Sequence, residues 1–220
     1  MTVDSTGDSG GCSLRSVIEA VEAGTSNGCG TVESPTTTIN LPANTITLGP
    51  QLVVNHGSMA IVGDPSNPTG TVIKGGSDRV MEVKSAATVE LVGLEITDGR
   101  TADAGAAPDI FTSIPVGNGG GILNHGSLVL EHALVTENQT GEGSLGANAP
   151  FKFRGGGGGS GGSGGGIYND AGASLTVKQS TISKNLTGDG GNGGAGSPGE
   201  VPEVGHNAEG TGGGDGGPAG

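Results

Sequence analysis

The sequence predicts an all-β fold, a solenoid of short parallel strands (a parallel β-helix) fronted by one α-helix, and three observations predict it. Glycine supplies 49 of the 220 residues, while aromatics make up 2%, with no Trp and one Tyr. A globule of this length normally anchors its core on several large aromatic side chains. This core must instead be assembled from Val, Ile, Leu and Ala, a little in each unit. Three segments can be laid on one another, as a solenoid requires. The one convincing helical pattern stands ahead of the strands.

Residues 2–6 (Thr-Val-Asp-Ser-Thr) read as a short strand, and the turn Gly-Asp-Ser-Gly-Gly follows. Leu14, Val17, Ile18 and Val21 then fall at i, i+3, i+4 and i+7, one apolar stripe on a helix over 13–23. Ser13 suits the N-cap and Gly24 the stop. The first coil of a solenoid exposes an apolar end and an open backbone edge, and such a helix covers both. Cys12 and Cys29 flank this helix with no His at ligand spacing, which argues against zinc. Joined, they would stabilise a cap spanning residues 1–38 by about 3 kcal/mol in the chain-entropy model and imply an oxidising compartment. Two free thiols are the other reading.

From residue 39 to 187 the chain reads as coils. Thr88–Thr97, Ser127–Thr136 and Ser174–Ser183 align position by position. Alternation within each fixes which side chains point inward. Val89 and Leu91, Leu128 and Leu130, and Leu175 and Val177 form one expected core ladder. Leu94 and Ile96, Ala133 and Val135, and Ser180 and Ile182 form the next. Asparagines recur at strand ends, Asn124 with Asn169 and Asn138 with Asn185. Asn tolerates the left-handed conformation and bonds to nearby backbone, so these are expected as stacked turn residues. Asn138-Gln-Thr and Asn185-Leu-Thr also spell glycosylation sequons, although their equivalent repeat positions already explain them structurally.

Three insertions occupy one repeat position, near 100–118, 141–163 and 188–220, and are expected to project from one face. Their glycine runs favour mobile loops over stacked polyglycine strands. The last insertion does not reach another Gly-Gly-Gly-Ile, so the chain is expected to be the front of a longer protein.

With these residues in view, a resemblance can be stated. Thr-Val-Asp-Ser-Thr, Cys12-Ser13-Leu14-Arg15-Ser16-Val17-Ile18-Glu19-Ala20 and Ile39-Asn-Leu-Pro-Ala-Asn-Thr-Ile-Thr-Leu48 resemble the start of CSLREA-type bacterial β-helix proteins. Gly-Gly-Gly-Ile-Tyr-Asn and Ser-Thr-Ile-Ser-Lys-Asn resemble coils of polymorphic outer-membrane and adhesin-like β-helices. Ser16-Val17 departs from the family's usual Glu-Ala, and the glycine tracts are unusually long. The resemblance implies a pectate-lyase-like, right-handed parallel β-helix, an extracellular or cell-surface location and a surface role.

The chemistry points the same way. A net charge of −13 opposes binding to nucleic acid or anionic membranes, and no apolar run approaches the ~20 residues of a membrane span. Glu82, Glu90, Glu95 and Asp98 are expected to face outward near Lys74, Arg79 and Lys84, a solvated mixture rather than a catalytic pair. The histidines (His56, His125, His132, His206) read as turn residues. No catalytic, cofactor-binding or metal residue is assigned. Calcium is the one ion worth asking about, because Gly-Asp-Gly-Gly-Asn-Gly resembles calcium nonapeptides in outline but lacks their apolar position and period. The expected function is a non-catalytic structural or adhesive passenger. Its expected partner is a surface glycan or a host or cell-surface protein. A carbohydrate-active enzyme or carbohydrate-binding β-helix is the alternative.

Overall fold

Strands that alternate apolar and polar residues bury one face only when a second layer covers it, and two parallel sheets provide that cover here. The computed structural model describes residues 1–150 and 153–197. Among the described residues one α-helix, α1 (Leu14–Ala23), precedes twelve strands. They are β1 (Thr37–Asn40), β2 (Thr45–Thr47), β3 (Leu52–Val62), β4 (Val72–Lys74), β5 (Met81–Val92) and β6 (Glu95–Thr97), then β7 (Ile122–Asn124), β8 (Ser127–Glu131), β9 (Leu134–Thr136), β10 (Ile167–Asn169), β11 (Ser174–Lys178) and β12 (Thr181–Ser183). The first sheet runs β1-β3-β5-β7-β10, with β8 bridging β5 and β11, and the second runs β12-β9-β6-β4-β2. Every pairing is parallel.

Register stacks like on like. Ile39, Ile61, Leu91, Leu130 and Val177 form one row across the first sheet, beside Met59, Val89, Leu128 and Leu175. Leu52, Met81, Ile122 and Ile167 make a third row. In the second sheet Ile46, Ile73, Ile96, Val135 and Ile182 lie side by side. Leu94 and Ala133 join the same buried cluster. Burying a Leu, Ile or Val side chain in such a row contributes about 1.5–3 kcal/mol.

Two members of the expected ladder differ. Val177 and Ile182 keep register but are each 45% exposed, and Leu175 is half-buried. Among the described residues β10, β11 and β12 have a strand partner on one side only, so no strand covers their other edge.

The cap follows its sequence cues. Ser13 lies just outside α1, and its side chain accepts a hydrogen bond from the Ser16 N–H; Gly24 ends the helix at φ 64°. Leu14, Val17, Ile18 and Val21 are buried in one cluster with Ile39, Leu52 and Val54. Cys12 and Cys29 form a disulfide. The expected strand over 2–6 shrinks to a single bridge, Thr2 to Asn40, because the chain turns away after the Val3 N–H reaches the Asn40 carbonyl.

The turn asparagines bond backbone, but they do not themselves carry the left-handed conformation. Left-handed backbone falls on the preceding residues, Glu137 (φ 57°) and Lys184 (φ 55°), and on Asp98 (φ 54°) at the equivalent place after β6. At the bend between the sheets it falls on Gly93, His132 and Gln179, which occupy equivalent positions. Asn124 and Asn138 are buried, whereas Asn169 is exposed. Asn138 is 1% exposed. Its Nδ2 donates to the Ile96 and Thr136 carbonyls and to Asn185 Oδ1, while its Oδ1 accepts from the Gly99 N–H. Asn124 donates to Asn169 Oδ1 at 2.7 Å and to the Ser174 carbonyl. Buried amides with this many partners link neighbouring strand layers, and a sequon asparagine as buried as Asn138 presents no acceptor nitrogen to a glycosylating enzyme.

The chain divides into two compact units. Met1–Arg100, Gly119–Gln139 and Gly164–Leu186 form the first. The second comprises Thr101–Asn118, Thr140–Ser163 and the described part of the last insertion, 187–197. Residues 1–38 and the strands fall in the first unit, and the insertions make up the second. Of the expected 188–220 loop, residues 198–220, including His206, lie outside the described residues.

Candidate functional site

The second unit is held by backbone. Gly143, Gly146 and Ala149 donate to the carbonyls of Asp189, Asn192 and Ala195. Gly156, Gly159 and Gly162 donate to Ala147, Ser144 and Gly141, the same spacing run antiparallel. Gly191, Gly194 and Ser197 donate to Gly159, Gly156 and Phe153. Ala104 and Ala107 donate to Glu142 and Leu145. Each series advances by three residues, the repeat of a polyproline II-type chain, which makes no hydrogen bonds within itself. Three such segments, 141–149, 153–162 and 188–197, bond one another pairwise.

Glycine is what permits this approach. A Cβ built on Gly143, Gly146, Gly155, Gly188, Gly191 or Gly194 would sit closer than 3.0 Å to a carbonyl oxygen of a neighbouring segment. The Cα hydrogens therefore face those oxygens, the arrangement of weak Cα–H···O bonds. The expectation of mobile loops is corrected for the described residues. Hydrogen-bonded segments stand where the composition favoured flexible linkers, because every third N–H finds a partner on a neighbouring segment.

This unit also exposes large apolar side chains. Phe111 is 85% exposed and Phe153 51%. Pro108, Asp109 and Phe111 of the first insertion, with Asn148, Pro150 and Phe153 of the second, line a cleft of about 330 Å3. Asp109 is held by its own turn, with Oδ1 accepting from the Phe111 N–H at 2.9 Å. A bond from the Thr112 side chain, then one from the Phe111 N–H, lowers its pKa below the ordinary carboxylate value. Asn148 Oδ1 accepts from the Ala195 N–H at 2.9 Å. The sequence offered four aromatics and no reason to place two together. The signal was indirect: each follows a Pro by three residues inside an insertion.

In the first unit, titratable groups converge on the outer face of the first sheet. Glu82 on β5 faces away from the core as expected, yet it is 8% exposed instead of solvated. Lys84 Nζ reaches its Oε1 at 2.5 Å, Gln51 Nε2 its Oε2 at 3.1 Å, and His125 Nε2 lies 3.4 Å away. His125 Nδ1 is 2.8 Å from Asp170 Oδ2, so His125, just after β7, joins a carboxylate on either side. Burial acts to raise the Glu82 pKa, but the Lys84 hydrogen bond and charge, Arg79 and His125 outweigh it and hold the group below its ordinary value. The His125 hydrogen bond lowers that of Asp170. Arg79 bonds the Gly119 carbonyl and Gln51 Oε1, and its pKa is drawn down by desolvation against the pull of Glu82 and Asp78. These carboxylates are committed to cationic or imidazole partners within the sheet.

On the second sheet, Lys74 pairs with Asp98 at 2.8 Å and Lys184 with Glu137 at 3.4 Å. Glu95 is raised in pKa by burial, then by Glu137 and Asp98. Among the described residues no group of three or more His, Cys, Asp or Glu side chains is placed to hold a metal ion. No helix among them is long and apolar enough to cross a membrane.

No family model, curated protein or solved structure matches the chain.

Proposed function

We propose that the chain is a non-catalytic structural or adhesive passenger, secreted or displayed on a cell surface, that presents its Gly-rich unit to a partner. In this reading the two sheets are walls of one right-handed parallel β-helix of the CSLREA-like kind. Alternation of strands between the sheets supports it, since β1 to β6 alternate one by one and parallel crossovers in one sheet are right-handed in about 98% of cases. The Cys12–Cys29 disulfide fits an oxidising compartment. The observation that carries the reading is the second unit itself. Its backbone is ordered by three-residue bonding, yet Phe111 stays exposed, an arrangement that serves recognition.

The cluster of Glu82, His125 and Asp170 favours a second reading, a carbohydrate-active enzyme working on the outer face of the first sheet. One experiment separates them. The chain is incubated with a panel of neutral and acidic polysaccharides, and both retention and released product are measured. Retention without product, unchanged in Glu82→Gln, is expected. A product that disappears in Glu82→Gln replaces the passenger with a hydrolase or lyase.

A further inference from the structure

We infer that the open edge formed by β10, β11 and β12 is an association surface for a second copy of this chain, met edge to edge about a two-fold axis. The inference does not depend on what the second unit binds. Its first support is the difference between the two ends of the sheets. Beyond β1, the Thr2–Asn40 bridge closes the edge of the first sheet, with the Val3 N–H on the Asn40 carbonyl and the Asn40 N–H on the Met1 carbonyl. Leu14, Val17, Ile18 and Val21 of α1 are buried in one cluster with Ile39, Leu52 and Val54 at that end. Arg15 ties α1 to the loop after β2 by donating to the Pro50 and Gln51 carbonyls. At the other end no described strand covers β10, β11 or β12. Val177 and Ile182 are each 45% exposed there, although both continue buried rows. A closed end offers no edge to an open one, so copies cannot stack head to tail. Two open edges fit each other, and a two-fold contact closes at a dimer.

The second support is that the edge is self-complementary and undefended. The Ser174 N–H donates back to the Gly126 carbonyl, so by alternation the N–H and C=O groups of Leu175 and Val177 point to the open side. A two-fold axis through Thr176 sets Leu175 opposite Val177 of the second copy, and each such pair exchanges both of its backbone bonds. The same register keeps inward side chains beside inward side chains, because the two positions share a face. Edge strands are ordinarily protected by proline, by a bulge or by charge. The last strand-bearing segment, Gly164–Leu186, contains no Pro. Its charged side chains are drawn back toward the preceding strands, Asp170 to His125 at 2.8 Å, Lys178 to Glu131 at 3.5 Å and Lys184 to Glu137 at 3.4 Å. With one Asp against two Lys, this segment also escapes the net charge of −13 that would hold copies apart. Its length suits the about 20–30 residues a side of a standard interface. Residues 198–220 make a poor mate for an apolar edge, since Val201 and Val204 are their only large apolar side chains and Glu200, Glu203, Glu209 and Asp215 stand among them.

The test is sedimentation velocity of the full chain from about 1 to 100 μM, the span over which a modest interface associates, with hydrogen exchange read at both ends of the range. A mass that rises to that of a dimer and stops there is expected. The Leu175 and Val177 amides should gain protection as concentration rises. Val177→Lys and Ile182→Lys, which place a charge in the contact, should each weaken association at least about tenfold. Thr45→Lys, the same gain of charge on an exposed position of β2 at the far end of the second sheet, should leave it unchanged. Protection of the β8 amides shows that each variant keeps its strands, and the concentration dependence of the unaltered chain tests the surface without any variant. A monomer across the whole range overturns the inference. So does a dimer that survives both Val177→Lys and Ile182→Lys, or a mass that grows past the dimer without limit. Leu175 and Val177 amides already protected in the dilute monomer would mean that the same chain covers the edge, which overturns it as well.

Discussion

The two units order a backbone by opposite means. In the first, Leu91, Leu130 and their neighbours across the sheets fill a core with side chains, and the strands are spaced by the ladder. In the second, removal of side chains is the device. Gly143, Gly191 and Gly194 bring carbonyl oxygens where a Cβ would otherwise be. Each solution is brittle in its own direction, since the first fails when atoms are removed and the second when they are added.

That contrast is sharpened most by Leu130→Ala against Val177→Ala. Leu130 is fully buried, and its truncation should cost about 2–5 kcal/mol. Val177, next to it in register but 45% exposed, should cost under about 1 kcal/mol. Urea unfolding measures both, and equal costs would mean that the end of the ladder is covered. Second in size, Asn138→Leu removes partners from the Gly99 N–H and from Asn185, an expected loss of about 1–3 kcal/mol read in the same assay. Gly191→Ala inverts the logic, because a single added methyl should cost about 1–3 kcal/mol. Hydrogen exchange should then show lost protection at Gly143 and Gly146 while the amides of β8 are unchanged. A variant that loosens both regions together would erase the distinction between the units.

The smallest effect concerns pH. The Glu82 and Asp170 pKa values are lowered in the folded chain, so their stabilisation is present above the ordinary carboxylate range and is lost as pH falls through the lowered values. Glu95 is raised and has the opposite sign, its cost being relieved on acidification. Glu82→Gln should flatten the acid limb of a stability–pH curve by under about 1 kcal/mol, the scale of a partly exposed pair. An unchanged limb would assign the acid response elsewhere.

The first unit was legible because period-two alternation writes itself into side chains. Val89, Leu128 and Leu175 could be matched by eye, and they pair. Burial at Val177 and Ile182 was not legible, since it depends on what stacks beyond them and not on their own strand. The joining of Glu82, His125 and Asp170 needed the register of β5, β7 and β10. In the second unit a run of glycine carries no alternation, and composition alone suggested mobility. A signal was present nonetheless. Asp189, Asn192 and Ala195 stand three apart with glycine pairs between them, and their carbonyls accept the three bonds from 141–149.

The three-residue period also governs how such a segment changes length over generations. Adding or deleting three residues, nine bases in frame, returns every glycine to its close approach and every donor to an acceptor. Adding one or two turns a bulky residue into the seam. Insertions of this kind can therefore lengthen by whole steps, carrying their exposed tips outward while the bonded stem is copied unchanged.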